Sequence, residues 1–485
     1  MRLTELVSGI DGQASGDPEI AGLTADSREV RPGFLFAALA GAKDDGARYI
    51  EDALARGAAA ILAGPGVAVD ASRAAVIQVA EPRAAFALLA ARVHPGQPPR
   101  IAAVTGTNGK TSVASFAAEI AAHAGLRAAS LGTLGVRAPG LHRELGHTTP
   151  DPVRLHRELE ALAQRDIDFL ALEASSHGID QHRLDGIAIQ AAGFTNLSRD
   201  HLDYHQDMAS YQAAKLGLFT RLVQQDGTAV VNADEAEGAA FAAAARDRGL
   251  TLWTYGRAGD TLMLTRLEPI ASGLSLGALL FGQHYDFELP LLGAFQAHNV
   301  LCALGLAVAC GVDAGKAVAA LPHLTGVPGR MQKVAEVGGA SIIVDYAHTP
   351  DALVTVLTAI RPHVTGKLTC VFGCGGDRDP GKRPLMGAAV AAHADRAIVT
   401  DDNPRSENPA LIRAAALAAC PGGIEIGDRA EAIAAGVAGL GAGDVLVIAG
   451  KGHEQGQIVG NVVRPFDDAQ VARSAAASVQ AARRA

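Results

Sequence analysis

The sequence reads as an α/β protein with mainly parallel sheets, divided into three domains. Three observations carry this reading. Short, near-continuous apolar runs alternate with Ala- and Leu-rich stretches of helical length, the pattern of βαβ units. Polar and glycine-containing motifs stand directly after the apolar runs, where open parallel sheets carry their ligands. Two Pro/Gly-rich breaks, HPGQPPR at 94–100 and TGVPGR at 325–330, cut the chain into segments 1–98, 99–329 and 330–485.

The apolar runs predict strands at 101–105, 169–172, 191–195, 229–232, 341–344, 368–372, 396–400 and 445–449. Between them the pattern predicts helices over 110–124, 153–164, 210–222, 296–310, 350–361, 383–394 and 408–420. No internal repeat and no low-complexity linker interrupts this order.

Composition sets the outer limits. Of 485 residues, 49% are hydrophobic, 19% charged and 4% aromatic, and much of the apolar share is alanine. The net charge of −9 argues against a nucleic-acid protein working through a broad basic surface. Five cysteines form no paired framework, which points to a reducing, cytoplasmic setting. Residues 1–11 lack a signal pattern, and the Ala-rich stretches 234–246 and 385–395 are too short for a membrane span.

The chemistry begins at Gly106-Thr107-Asn108-Gly109-Lys110-Thr111-Ser112, which joins a strand to a helix. Its glycines let backbone N–H groups approach phosphate, and the helix N-terminus favours anions. Lys110 adds a point charge, and Thr111 a hydroxyl for Mg²⁺. Val104 stands where the strict pattern has glycine, so this is a shortened P-loop. Phosphate chemistry needs cation ligands, for which Glu173 at a strand end and His201 in NLSRDHLDYH are candidates. Taken alone, Glu173 reads equally as a solvated carboxylate, His201 as a surface residue and Lys215 as an ordinary helix lysine.

The ordered set GTNGKT, EASSHG, NLSRDHLDYH and YxxAKxxLF resembles the Mur ligase family of ATP-dependent amide ligases, which build the peptide stem of peptidoglycan on a UDP-sugar. The match continues through His298-Asn299, PGRM at 328–331, DYAHTP at 345–350 and GKGHE at 450–454. The resemblance implies a small α/β UDP-binding domain, a central P-loop ATPase domain with a mainly parallel sheet and a C-terminal Rossmann-like domain. It implies that ATP is the nucleotide, that Thr111, Glu173 and His201 hold Mg²⁺, and that Lys215 is carbamylated by CO₂ into an anionic ligand. It places Asn299, Arg330 and Asp345 at ATP. In the first segment it places Ala25, Ser27 and the loop Ala42, Lys43 and Asp44 at the uridine diphosphate end.

His147, Thr148, Thr149, Ser175, Gln181 and Arg183 match residues around the sugar and dipeptide. One branch of the family carries Asn where this chain has His147, whose imidazole can still donate a hydrogen bond. Asp402-Asn403-Pro404-Arg405 resembles the motif of the branch that adds meso-2,6-diaminopimelate. An Arg405 guanidinium can bind the second carboxylate that distinguishes this amino acid from lysine. Arg378 matches a second carboxylate contact, and Gly450 and Glu454 match contacts to the distal end.

The implied reaction is ligation of meso-diaminopimelate to UDP-N-acetylmuramoyl-L-alanyl-D-glutamate through an acyl phosphate, by a cytoplasmic monomer with no nucleic-acid partner. Hinges are expected near 95–100 and 325–332. The same ligation with L-lysine, or a folylpolyglutamate-synthase-like ligation, shares the chemistry. A phosphate-binding switch module would need neither Lys215 nor an amino-acid site. The glycine clusters at 132–135 and 373–376 lack the full dinucleotide-binding spacing.

Overall fold

The computed structural model describes residues 1–41, 45–201, 204–270 and 273–484. The chain forms two compact units, Met1–Met263 with Leu301–Ala319, and Leu264–Val300 with Ala320–Ala485.

The first unit holds two sheets. A five-stranded sheet runs in the order Gln13–Ala14, Ala75–Gln78, Ala60–Ala63, Phe34–Ala38, Gly22–Thr24, parallel except for its first strand. The helix Pro82–Val93 closes its core, with Phe86 and Leu89 packed beside Leu35, Leu62 and Ile77. Val153, on the helix Pro152–Ala163, joins the same apolar cluster.

The second sheet of this unit places Thr251–Gly256, Val223–Asn232, Ile189–Phe194, Ile101–Thr105, Phe169–Glu173 and Ala128–Gly132 side by side and parallel. Two short antiparallel strands, Gly135–Ala138 and Leu141–Arg143, extend it. The strand Ile101–Thr105 is wholly buried, as two-sided cover requires of a parallel strand. Its register pairs Val104 with Glu173 and Thr105 with Phe194, so three strand ends finish level. The chain leaves 101–105 towards one side of the sheet and later crosses to the other, which makes this the switch point where ligands bind.

The second unit carries a six-stranded sheet in the order Gln332–Val337, Ala340–Asp345, Val445–Ala449, Leu368–Phe372, Arg396–Val399, Ile424–Glu425, with only Gln332–Val337 antiparallel. One apolar cluster covers each face. The helix Asp468–Arg484 contributes Ala472 and Ala476 to one of them.

The strands 101–105, 368–372 and 445–449 stand at their expected bounds, and the other expected strands begin or end within a few residues of theirs. The helix expected over 210–222 divides into an α-helix, Met208–Gly217, and a wider-wound π segment, Leu218–Leu222. Patterning does not single out Leu262–Ile270 or Gln283–Leu289, because exposed residues interrupt both and neither is a continuous apolar run. All five cysteines are free and buried. Among the described residues no helix is long and apolar enough to cross a membrane.

Candidate active site

The phosphate loop is bent by its glycines and pinned by the neighbouring strand end. Gly106 has φ +149°, and a Cβ there would lie 1.9 Å from Thr195 Oγ1. Gly109 takes the left-handed conformation, φ +87°, that opens the helix Lys110–His123. Thr107 N donates to Asn196 O and Asn108 N to Asn196 Oδ1, both at 2.9 Å. Lys110 Nζ reaches back over the loop, donating to the carbonyls of Gly106 and Thr107 at 2.9 Å each. Thr111 and Ser112 are buried on the first helical turn.

Glu173 lies beside that turn, only 2% exposed. Thr111 Oγ1 donates to its Oε2 at 3.1 Å. Thr133 grips the same carboxylate with its N–H on Oε1 (2.8 Å) and its hydroxyl near Oε2 (3.1 Å). Gly132 makes the approach possible, since a Cβ there would fall 2.1 Å from Oε1. Thr133 was invisible to sequence reasoning, although its place after a strand end in GTLG was a usable signal. From Thr133 the polar chain runs on to Thr148 Oγ1 at 3.0 Å. Thr149 Oγ1 donates to Glu173 O at 3.0 Å, and Ser175 Oγ donates to Thr149 Oγ1 at 3.0 Å. Arg183 donates to Thr149 O at 2.7 Å and, through Nη2, to Gln181 Oε1 at 2.6 Å.

Lys215 comes from 109 positions away to donate from Nζ to Gly106 O at 2.7 Å. It is 1% exposed and its Nζ stands 4.4 Å from the Tyr211 ring centroid. Burial, reinforced by the charge of Lys110, holds its pKa well below the usual lysine value. Burial also pushes the Tyr211 hydroxyl up to about 12. His201 is exposed, with φ +53°, its ring 6.1 Å from Tyr211 and 5.1 Å from His177. Thus the structure joins Thr111 to Glu173 and Lys215 to the loop, and sets the His201 ring near those of Tyr211 and His177.

A cleft of about 290 Å³ in this unit is lined by Ala25, Leu39, Arg83, Phe86, His147, Asp151, Pro152, Gln181 and Arg183. It gathers four of the residues expected at the sugar nucleotide and adds Arg83 and Asp151, which sequence reasoning passed over. Asp151 caps the helix Pro152–Ala163 by accepting from Arg154 N, which is how a capping residue is usually read. Ser27 is buried in the short 3₁₀ turn Ser27–Glu29 and does not line the cleft. Ala42, Lys43 and Asp44 lie outside the described residues.

In the second unit Asp345 is buried at a strand end, its oxygens accepting from Met331 N (2.7 Å) and Ala347 N (2.8 Å). Burial raises its pKa, opposed by the Arg330 charge. The Arg330 guanidinium lies 4.8 Å from the Tyr346 ring centroid, and its buried Nε has no hydrogen-bond partner among the described residues. Asn299 Nδ2 donates to Gln296 Oε1 at 2.8 Å, and Gln296 and Arg330 line one small cavity.

At the ends of the strands Arg396–Val399 and Val445–Ala449, the segment 402–405 faces 450–454. A Cβ on Gly450 would lie 2.7 Å from Asp402 Oδ2. Asn403 Nδ2 donates to Glu454 Oε2 at 3.0 Å, and Pro404 is buried. Arg405, at φ +50°, is locked by backbone bonds to Ile458 O and from Gly460 N, and its Nη1 donates to Gly376 O at 2.9 Å. A Cβ on Gly375 would come within 3.0 Å of Arg405 Nη1 and 3.7 Å of Arg378 Cγ, so both arginines flank one glycine.

Comparison with known proteins matches this architecture along the chain. Residues 19–94 match the model of the Mur ligase family, catalytic domain; 104–307 the Mur ligase middle domain; and 329–452 the Mur ligase, glutamate ligase domain. A UDP-N-acetylmuramoyl-L-alanyl-D-glutamate--2,6-diaminopimelate ligase of Mesorhizobium japonicum is 50% identical over 98% of this chain and 99% of its own length. The protein of that name from Caulobacter vibrioides is 53% identical over 93% and 94%. A solved structure of a ligase of the same name superposes with TM-score 0.70 at 36% identity, covering 95% of each chain. On this evidence the chain belongs to the Mur ligase family.

Proposed function

We propose that the chain is an ATP-dependent amide ligase that adds meso-2,6-diaminopimelate to UDP-N-acetylmuramoyl-L-alanyl-D-glutamate in peptidoglycan precursor synthesis. The reaction class rests on the phosphate loop with Glu173 against Thr111. The observation that carries the choice of amino acid is the pair Arg378 and Arg405 around Gly375, opposite Asn403 and Glu454. Two guanidinium groups suit a ligand with a second carboxylate, which L-lysine lacks. The near-full-length relatives named for this ligation support the same reading.

The donor set suits Mg²⁺. A hydroxyl and a carboxylate are hard oxygen ligands, and among the described residues no cluster of three or more His, Cys, Asp or Glu forms a closed cage. Mg²⁺ bound there would neutralise phosphate charge. Lys110 and the loop N–H groups would hold the ATP phosphates in line with the side-chain carboxylate of the D-glutamyl residue. That carboxylate attacks the γ-phosphorus, the bond to ADP breaks, and an acyl phosphate forms. The free amine of diaminopimelate then attacks the acyl carbon, phosphate departs, and the amine proton passes to solvent.

Arg183 and Gln181 would orient the dipeptide, with Ala25 and His147 along the sugar-nucleotide cleft. Asn299, Arg330 and Asp345 would contact ATP at its adenine, phosphate and ribose side. Lys215 is held as an amine of lowered basicity, the form that adds CO₂: an N–C bond forms, a proton leaves, and an anionic carbamate results. That carbamate would add an oxygen donor, and the His201 imidazole a nitrogen donor, to the metal ligands Thr111 and Glu173. Segments 1–98, 99–329 and 330–485 would serve sugar nucleotide, ATP and amino acid respectively, in a cytoplasmic monomer.

The test is a ligation assay with purified UDP-sugar dipeptide and either meso-diaminopimelate or L-lysine. ADP release dependent on both acceptor and meso-diaminopimelate is expected. A preference for lysine would sink the arginine argument, and ADP release without either substrate would indicate a switch rather than a ligase.

A further inference from the structure

We propose that Lys451 is a positioning residue for amino-acid recognition, setting Asn403 and Glu454 in the arrangement that receives the incoming amino acid. This rests on the reading of that site given above.

Lys451 lies between two glycines in the left-handed region, Gly450 at φ +118° and Gly452 at φ +55°. A Cβ on Gly450 would lie 2.7 Å from Asp402 Oδ2, and one on Gly452 2.7 Å from Tyr346 Cβ and 2.9 Å from Gly329 O. The loop is therefore pressed against its neighbours on both sides, and the lysine between turns inward. At 0% exposure its ammonium cannot serve as a surface contact for phosphate.

Its Nζ donates to Asn403 Oδ1 at 2.9 Å and to Glu454 Oε2 at 3.0 Å. Asn403 Oδ1 also accepts from Ile458 N at 2.9 Å, while Asn403 Nδ2 donates to Glu454 Oε2 at 3.0 Å. The amide orientation is thus determined, because a flip would set its NH₂ against an ammonium and a backbone N–H. Glu454 Oε2 accepts twice. Its Oε1 has no hydrogen-bond partner among the described residues, on a side chain 35% exposed. Lys451 thereby holds one carboxylate oxygen inward and leaves the other towards the ligand's ammonium end. A buried charge is costly unless paired, and both its partners here belong to the recognition pair.

The experiment compares the full-length Lys451→Met and Lys451→Gln variants with Glu454→Gln, varying each of the three substrates in turn and recording Tm. Lys451→Met should raise the KM for meso-diaminopimelate roughly 30-fold or more, since one partner of a buried charge network is lost. The KM values for ATP and UDP-sugar dipeptide should stay within about twofold. Equal rises in all three KM values, or an unchanged meso-diaminopimelate KM, would overturn the proposal. If Glu454→Gln raises that KM while neither Lys451 variant does, only the role of Lys451 falls. If Glu454→Gln has no effect, the site reading falls and the proposal with it. Should Lys451→Met not fold, Lys451→Gln carries the same test, and failure of both to fold would mark Lys451 as purely structural.

Discussion

Lys215 in the first unit and Lys451 in the second are both removed from water, at 1% and 0% exposure, yet their surroundings differ in kind. Lys215 meets a carbonyl and an aromatic ring, and among the described residues no carboxylate lies within ion-pair distance. Lys451 meets a carboxylate and an amide oxygen. Burial without a counter-ion favours the neutral amine, which is a nucleophile. Burial with a counter-ion keeps a fixed charge that orients its neighbours. The same residue type is therefore proposed for chemistry in one place and for positioning in the other.

The sharpest attack on this contrast uses a third lysine. Lys110 is partly exposed on the phosphate loop, where its charge should act directly on phosphate. Lys110→Ala should cost about 10³-fold in kcat, by analogy with loss of a donor aimed at developing charge. A variant that kept near-normal ligase rates would remove the phosphate-loop assignment.

Next comes Lys215→Met, expected to lower kcat by about 10²-fold through loss of a cation ligand. The wild-type protein labelled with ¹³C-bicarbonate should show a carbamate resonance by NMR that the variant lacks. If both proteins give the same spectrum, the carbamate is not on Lys215. Stability should move the other way. The folded-state pKa of Lys215 is depressed, so the folded protein binds fewer protons than the unfolded chain between that pKa and the ordinary lysine value. Its stability therefore rises with pH across that window. Lys215→Met should raise Tm in metal-free protein at neutral pH, and the gain should shrink as pH climbs towards the lysine value. A gain independent of pH would show that the pKa of Lys215 is not depressed in the folded protein.

Arg405→Lys keeps the charge but loses the planar fork. The preference for meso-diaminopimelate over L-lysine in competition assays should fall by roughly tenfold to a hundredfold. An unchanged ratio would shift the discrimination to Arg378. The smallest effect is expected from Thr133→Val, which removes one hydroxyl from Glu173 and leaves the backbone donor in place. Mg²⁺ should then bind up to about tenfold more weakly, readable from the metal dependence of kcat.

Much of this was legible in the chain. The continuous apolar runs announced the strands, because a parallel strand covered on both faces has no polar side to blur the pattern. The motifs after those runs marked out the strand ends where the candidate site lies. Exposed, alternating strands such as Gln283–Leu289 left no comparable trace. Arg83, Asp151 and Thr133 escaped because a helix-start arginine, a capping aspartate and a turn threonine are common residues with ordinary duties. Only the cleft and the Glu173 carboxylate reveal what surrounds them.

The order of motifs along the chain was enough to determine the family and to single out the residues proposed for phosphate and amino-acid recognition. Backbone needs are written locally, as glycines at Gly106 and Gly109 whose φ values other residues rarely adopt. What the tertiary structure alone decided is which lysine has a carboxylate partner among the described residues and which has none. Lys215 meets Gly106 across 109 positions, and Lys451 meets Asn403 across 48. The charge state of a buried amine is set by groups within a few ångströms, and those groups arrive from distant parts of the sequence.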